Sequence, residues 1–305
     1  MPDPRPSVPS APMPAPVPAA DALVETIRRE FDGLSRQLKL IARYVEEHRD
    51  RIGLDRIQDV ARGSGVQASA VIRFAKHFGF SGYSEMQKIF RDGIAAQIAP
   101  SHNYQARIRS AIQAAEGRLG SADIADEFIA GSIAGMQELR RDLQGADIDA
   151  AVDLLVAAPS VWVMGARRSF AVASYLTYAL QHTDKRVEMV SGLGGMFEGQ
   201  MRGLRAGDVL VVVSFSPYAE ESLHCARLAE ARGARVLAIT DSRMSPLATL
   251  SQATLVVRES STFGFRSLTN TMCLAQSLFI ALAYRTELLY ATPGDGSAFP
   301  PARPV

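Results

Sequence analysis

The chain has 305 residues, with 33 Lys and Arg against 32 Asp and Glu, a formal net charge of +1. At 47% hydrophobic and 21% charged residues it has the composition of a folded protein with room for two domains. No apolar run reaches bilayer length, no basic-then-apolar signal opens the chain, and Cys225 and Cys273 have no partners at metal-ligand spacing, so membrane, disulfide-scaffold and zinc classes are excluded and a cytoplasmic protein is expected.

Residues 1–20 hold eight of the sixteen prolines, and that density predicts a disordered tail, with a proline-rich docking peptide as the alternative. Residues 21–48 read as one helix, because Leu23, Ile27, Phe31, Leu34, Leu38, Ile41 and Val45 keep the 3.6-residue period. Two short helical patterns follow. Leu54, Ile57, Val60 and Ala61 form the first, and Gly63-Ser64-Gly65 breaks it. In the second, Val71, Phe74, Ala75 and Phe78 share one side, while Ser69, Arg73 and Lys76 cluster opposite. A short helix, a tight turn and a helix with a cationic front predict a helix-turn-helix reader of DNA. Over residues 49–92, eight Arg or Lys stand against five Asp or Glu. That small excess suits phosphate contacts by a dimer. Residues 84–98 predict a closing helix, so this all-α domain spans 21–98, and residues 99–120 form a linker.

Helices are expected over 123–143 and from Asp147 to Pro159. Strands then alternate with helices. VWVMG (161–165), RVEMV (186–190), DVLVVVSFS (208–216), ARVLAIT (234–240) and ATLVVRE (253–259) are the strands. Helices are expected from Ser169 to Leu180, over 192–204, over 218–232, after Pro246, and over about 265–290. Aliphatic strands alternating with helices predict a doubly wound parallel sheet, an α/β domain spanning 121–290, with a flexible tail over 291–305.

In such sheets ligands bind beyond the carboxyl ends of the strands. Three of those ends are polar: Gly165-Ala166-Arg167-Arg168-Ser169, Ser214-Phe215-Ser216 and Thr240-Asp241-Ser242. Serine hydroxyls beside helix N-termini, with an arginine to add charge, suit an anion. Serines that only cap helices would give the same pattern. Glu188, Glu198, Glu220 and Glu221, with His182 and His224, are the nearby groups able to move a proton, and their spacing selects none of them. No nucleotide phosphate loop or dinucleotide fingerprint appears. No catalytic residue, metal or cofactor is therefore assigned.

Two stretches resemble known families. Gly65-Val66, Arg73-Phe74-Ala75-Lys76, Gly79-Phe80 and Gly82-Tyr83 resemble the DNA-binding domain of RpiR-type bacterial transcription regulators. Where that family opens its reading helix with serine and soon has threonine, this chain has Gln67 and Ala70. Gln67 is the poorer N-cap, and Ala70 lacks a hydroxyl to offer DNA. Residues 145–285 resemble the sugar isomerase (SIS) domain, through SFS after the central strand, AITDSRMSPLA (238–248) and ATLVV. The resemblance implies that Ser214 and Ser216 hold a sugar phosphate, and that Gly165 and Ser169 belong to the first loop of the site. Pro217-Tyr218-Ala219 replaces the family's Gly, acidic residue and Thr, and Arg167 and Arg168 replace small residues.

Together these readings describe a regulator that binds operator DNA through Gln67, Ser69, Arg73 and Lys76. It senses a phosphorylated sugar or related metabolite through Gly165, Arg167, Ser169, Ser214 and Ser216, as a homodimer or homotetramer. The alternatives are a sugar-phosphate isomerase whose N-terminal helices mediate assembly, and a protein that binds another enzyme under sugar-phosphate control.

Overall fold

The computed structural model describes residues 19–49, 51–97, 109, 120–263 and 265–290. Nearly all of the proline-rich segment, most of the linker and the whole C-terminal tail lie outside the described residues. The chain divides into two compact units between Leu119 and Gly120.

The first unit is helical: α1 (Ala19–Glu30), α2 (Arg36–Glu47), α3 (Ile57–Gly63), α4 (Ala68–His77) and α5 (Tyr83–Gln97). The single helix expected over 21–48 is two. A 3₁₀ turn, Phe31–Gly33, separates them, and Leu34 is extended. Periodicity does not register this break because the turn keeps the apolar phase. Ile27, Phe31 and Leu34 before it and Ile41 and Val45 after it are all buried. They form one core with Val60, Val71, Phe74, Met86 and Phe90. Leu54, assigned to the apolar face of the first reader helix, is 69% exposed, because α3 begins only at Ile57.

Polar pins fix the segment between α2 and α3. The Tyr44 hydroxyl donates to buried Asp55 Oδ2 at 2.8 Å. The Tyr83 hydroxyl donates to the Asp55 carbonyl at 2.7 Å and the Ile52 carbonyl at 3.1 Å. Gln87 Nε2 also donates to the Asp55 carbonyl, at 2.8 Å. Arg28 pairs with Glu46, whose side chain is otherwise enclosed. The turn into α4 runs through Gly65 at φ +68°, with the Val66 N–H on the Ala61 carbonyl. That left-handed closure favours glycine.

The second unit opens with α6 (Ser121–Asp142) and α7 (Gly145–Val156). A parallel sheet follows: β1 (Ser160–Gly165), β2 (Arg186–Val190), β3 (Val209–Val213), β4 (Arg235–Thr240) and β5 (Ala253–Val256), in the order β2-β1-β3-β4-β5. β1 and β3 are buried along their whole length. Both faces are covered, as continuous aliphatic strands require. On one face α7, α8 (Phe170–Leu180) and α12 (Thr269–Tyr290) pack over Val161, Val163, Val209, Val211 and Val213. On the other, α10 (Glu220–Ala231) and α11 (Pro246–Leu250) pack over Trp162, Met164, Leu210, Val212 and Val236.

Three expectations are corrected here. Residues 192–204 hold two 3₁₀ turns around one short helix, α9 (Phe197–Gln200), because Gly192, Gly194 and Gly195 take positive φ. The helix after β1 is preceded by a 3₁₀ turn, Arg167–Ser169. The last strand and last helix do not adjoin. A small antiparallel hairpin, β6 (Ser261–Thr262) and β7 (Phe265–Arg266), stands between them.

Candidate functional site

In the first unit, α4 buries Ala70, Val71, Phe74 and Ala75 and exposes Gln67, Ser69, Ile72, Arg73, Lys76 and His77. The four residues named from sequence, Gln67, Ser69, Arg73 and Lys76, are all on the solvent side. Gln67 takes the N-cap position without a side-chain cap bond. Arg73 Nη2 donates to Gln37 Oε1 on α2 at 2.8 Å, and His77 Nε2 lies 3.2 Å from Glu30 Oε2 on α1. Ile72, at 39% exposure, interrupts the polar front. Ala70 is wholly buried. A hydroxyl at that position would enter the core, so the expectation that its absence removes a DNA contact is corrected. Gln37 was missed, since nothing in local spacing links α2 to Arg73.

In the second unit, Gly165 at the end of β1 pairs with Val213 at the end of β3, and Val213 pairs with Ile239 of β4. The three polar strand ends therefore leave the same edge of the sheet. The crossover from β1 lies on one face and that from β3 on the other, so a crevice opens between them, as at any such switch point.

Each loop is tightly held. A Cβ on Gly165 would stand 2.6 Å from the Ser169 carbonyl oxygen, so only glycine allows the 3₁₀ turn to fold back there. Ser169 is buried. Arg167 has φ +54°, a left-handed conformation unusual for arginine. Its side chain is 64% exposed, with Nη2 at 3.4 Å from Glu221 Oε2. Ser214 and Ser216 are both buried. Ser214 Oγ accepts the Ala219 N–H at 3.3 Å, so this serine also steadies the start of α10. The Ser216 N–H donates to Asp241 Oδ2 at 3.1 Å, and Asp241 Oδ1 accepts the Tyr218 hydroxyl at 2.9 Å. Arg266 Nη1 donates to the Ser216 carbonyl at 2.8 Å, and Arg168 Nη1 donates to the Arg266 carbonyl at 2.6 Å. Glu220 and Glu221 sit in the first turn of α10. Ser242 and Ser245 accept backbone N–H groups around the start of α11.

The fold thus brings Gly165, Arg167, Ser169, Ser214 and Ser216 to one sheet edge. Arg266 joins the same edge and was not foreseen. Residue 264, a glycine between two phenylalanines, was the one sequence signal that a helix did not start at 265.

The proton-moving candidates are scattered. Glu188 pairs with Arg186 at 3.5 Å, Glu198 with His224 at 3.3 Å, and His182 meets the Tyr178 ring edge-on. Glu259 accepts the Asn270 and Thr271 N–H groups and the Ser267 and Thr271 hydroxyls, which caps α12. Among the described residues, no three His, Cys, Asp or Glu side chains form a metal-holding group, and no helix is long and apolar enough to cross a membrane.

The chain matches the helix-turn-helix domain of the rpiR family over residues 22–97 and the SIS domain over residues 154–281. It belongs to the RpiR-type regulators.

Other relatives agree with that membership. The HTH-type transcriptional regulator HexR of Pseudomonas aeruginosa is 28% identical over 229 residues, covering 74% of this chain and 75% of HexR. The bifunctional protein glk of Paraburkholderia xenovorans is 28% identical over 232 residues, 75% of this chain but 34% of glk. This RpiR-type chain therefore spans about a third of the length of the glk relatives. Two solved structures share the fold. The Vibrio vulnificus NanR protein, complexed with ManNAc-6P, has a TM-score of 0.50 at 21% identity, covering 88% of this chain and 94% of NanR. The sugar isomerase domain of an RpiR transcription factor from Sphaerobacter thermophilus has a TM-score of 0.51 at 24% identity, covering 54% of this chain and 92% of that one.

Proposed function

We propose that this protein is a cytoplasmic transcription regulator that reads operator DNA with α4 and responds to a phosphorylated sugar or related metabolite at the β1–β3 edge. The reader occupies residues 21–98, the sensor residues 121–290, and residues 99–120 join them. The observation that carries this reading is α4: in a stretch matched to the rpiR family, its back is fully buried and its front presents Ser69, Arg73 and Lys76 to solvent. HexR, alike over three quarters of both chains, is itself a helix-turn-helix transcription regulator by name, which supports the same reading.

The sensor holds its effector through buried Ser214, Ser216 and Ser169, with Arg167 supplying charge and Gly165 allowing close approach. An isomerase would need a carboxylate or imidazole placed to move a proton between carbons. Glu221 faces Arg167 and Glu259 is committed to capping α12, so the sensor acts by binding. Phosphosugars incubated with the protein are expected to be recovered unchanged; interconversion seen by NMR would establish the isomerase instead.

The reader is tested by gel shifts on the DNA upstream of the protein's own gene. Arg73→Ala with Lys76→Ala removes exposed charges and no core atoms, so the variant folds. Each lost phosphate contact flattens the salt dependence by about 0.9 in log affinity per log salt, so a slope shallower by up to about 1.8 per reader is expected. Unchanged affinity and slope would exclude α4 as the reader.

A further inference from the structure

Arg266 ties the sheet edge together. Through Nη1 it donates to the Ser216 carbonyl at 2.8 Å and stands 3.8 Å from Asp241 Oδ2, while its own carbonyl accepts from Arg168. The loops after β1, β3 and β4 thus converge on one residue of the β6–β7 hairpin. Asp241 also accepts the Ser216 N–H and the Tyr218 hydroxyl. A guanidinium has five N–H donors. Those on Nε and Nη2 of Arg266 have no protein acceptor among the described residues, and the side chain is 34% exposed. Open guanidinium donors beside buried Ser216, in the loop that also carries Ser214, make an arrangement that receives an anionic oxygen.

The hairpin is also pressed against α6. Gly131 and Gly135 lie one turn apart on that helix. A Cβ on Gly131 would stand 2.8 Å from Thr262 Oγ1, and one on Gly135 would stand 3.3 Å from Ser260 Cβ and 3.1 Å from Asn270 Nδ2. A turn earlier on the same stripe, Phe128 meets Phe263, with ring centroids 6.1 Å apart. Glycine here lets helix and hairpin touch without intervening side chains. So close a contact favours movement of the hairpin and α6 together. α6 is the first described helix of the second unit in chain order.

We infer that Arg266 is an effector-binding residue, taking an anionic oxygen of the phosphorylated effector, and that its hairpin passes occupancy to α6. The inference rests on the effector site proposed at Ser214 and Ser216. An anion bonded through Nε and Nη2 of Arg266 pulls the guanidinium toward itself, against the Nη1 contacts to the Ser216 carbonyl and Asp241. The hairpin then takes a new position, and the glycine contact carries α6 with it.

Thermal-shift titrations of the full chain test this, with inorganic phosphate, glucose 6-phosphate, fructose 6-phosphate and N-acetylmannosamine 6-phosphate as probes. At least one probe should raise the wild-type melting temperature. Arg266→Gln should weaken its binding roughly tenfold or more, the loss expected for a charged hydrogen bond, and Arg266→Lys should restore part of it. A probe that binds wild type and Arg266→Gln equally, yet fails on Ser214→Ala with Ser216→Ala, overturns this inference and leaves the site intact. No shift of the wild type by any probe overturns the site and the inference together. For the second half, Gly131→Ala with Gly135→Ala should bind the probe as wild type does but lose most of the probe's effect on affinity for the upstream DNA. An undiminished effect overturns transmission through the hairpin. Alanine suits a helix better than glycine. Should the double variant still melt early, Gly131→Ala alone makes the same test, because its Cβ meets only side-chain atoms.

Discussion

Gly165 shows how one residue governs the first loop of the sensor. Its φ is not positive, so backbone freedom is not the reason for glycine here. Space is: an added Cβ would lie 2.6 Å from the Ser169 carbonyl oxygen and 3.0 Å from the Ala173 Cβ. Both belong to the turn and helix that follow β1, so the loop itself would have to open. Gly165→Ala is expected to cost about 1–3 kcal/mol of stability, the usual cost of overpacking, and to displace Ser169 and Arg167 together. Urea melts give the first effect. Phosphosugar titration gives the second, and a variant that binds as wild type while melting early would show that Ser169 takes no part in the site.

Among elements, the reader owes its fixed geometry to a polar cluster between α2, α3 and α5. Burial, and then the hydrogen bond to Asp55, push the Tyr44 hydroxyl up from 10.0 to about 12. Burial raises Tyr83 beyond the usual tyrosine range as well. Both folded values lie above the unfolded one, so the unfolded chain loses its phenolic protons first. The stabilisation from these hydroxyls is complete below about pH 10 and is lost as the pH rises from there toward 12. Tyr83→Phe leaves the Ile52 carbonyl without this donor, and is expected to destabilise the reader by about 1–2 kcal/mol at neutral pH. It should also flatten the alkaline loss. Denaturant melts between pH 8 and pH 11 check both, and a variant with the wild-type alkaline profile would show that other groups control it.

For the whole molecule, exposed apolar side chains point to assembly. Ile129, Ile133, Tyr178, Ile280 and Tyr284 of the sensor are all more than half exposed. Apolar side chains in that number on α6, α8 and α12 suit association with a second copy. A helix-turn-helix reader with a small charge excess also gains from pairing two half-sites. Light scattering of the full chain should give two or four times 32.9 kDa, and a monomer at micromolar concentration would contradict the dimer. If effector binding favours one arrangement of the subunits, operator affinity should change by roughly 5- to 150-fold, the span of typical coupling energies. Ser214→Ala with Ser216→Ala should abolish that change and leave effector-free DNA binding intact. Operator titrations with and without phosphosugar measure it. A full response from the double variant would move the effector site elsewhere.

What could be read without coordinates was whatever repeats locally. The two faces of α4 are a matter of 100° per residue, and Val71, Phe74 and Ala75 are buried where that rule puts them. Val209–Val213 reads as an interior strand because an unbroken aliphatic run needs cover on both sides. The polar residues at the strand ends were legible for the same reason, since a strand stops where its apolar run stops. The break between α1 and α2 was not legible, because a 3₁₀ turn that preserves the phase leaves no mark on a periodic pattern. The β6–β7 hairpin was hidden because two-residue strands have no period. Ala70 looked like a missing surface hydroxyl until the packing of α4 put it wholly inside. Arg266 belongs to the sheet edge only through bonds to residues 50 and 98 positions away. Such contacts depend on which strands lie side by side, and that order follows from how the crossovers pack on the two faces, not from any spacing along the chain.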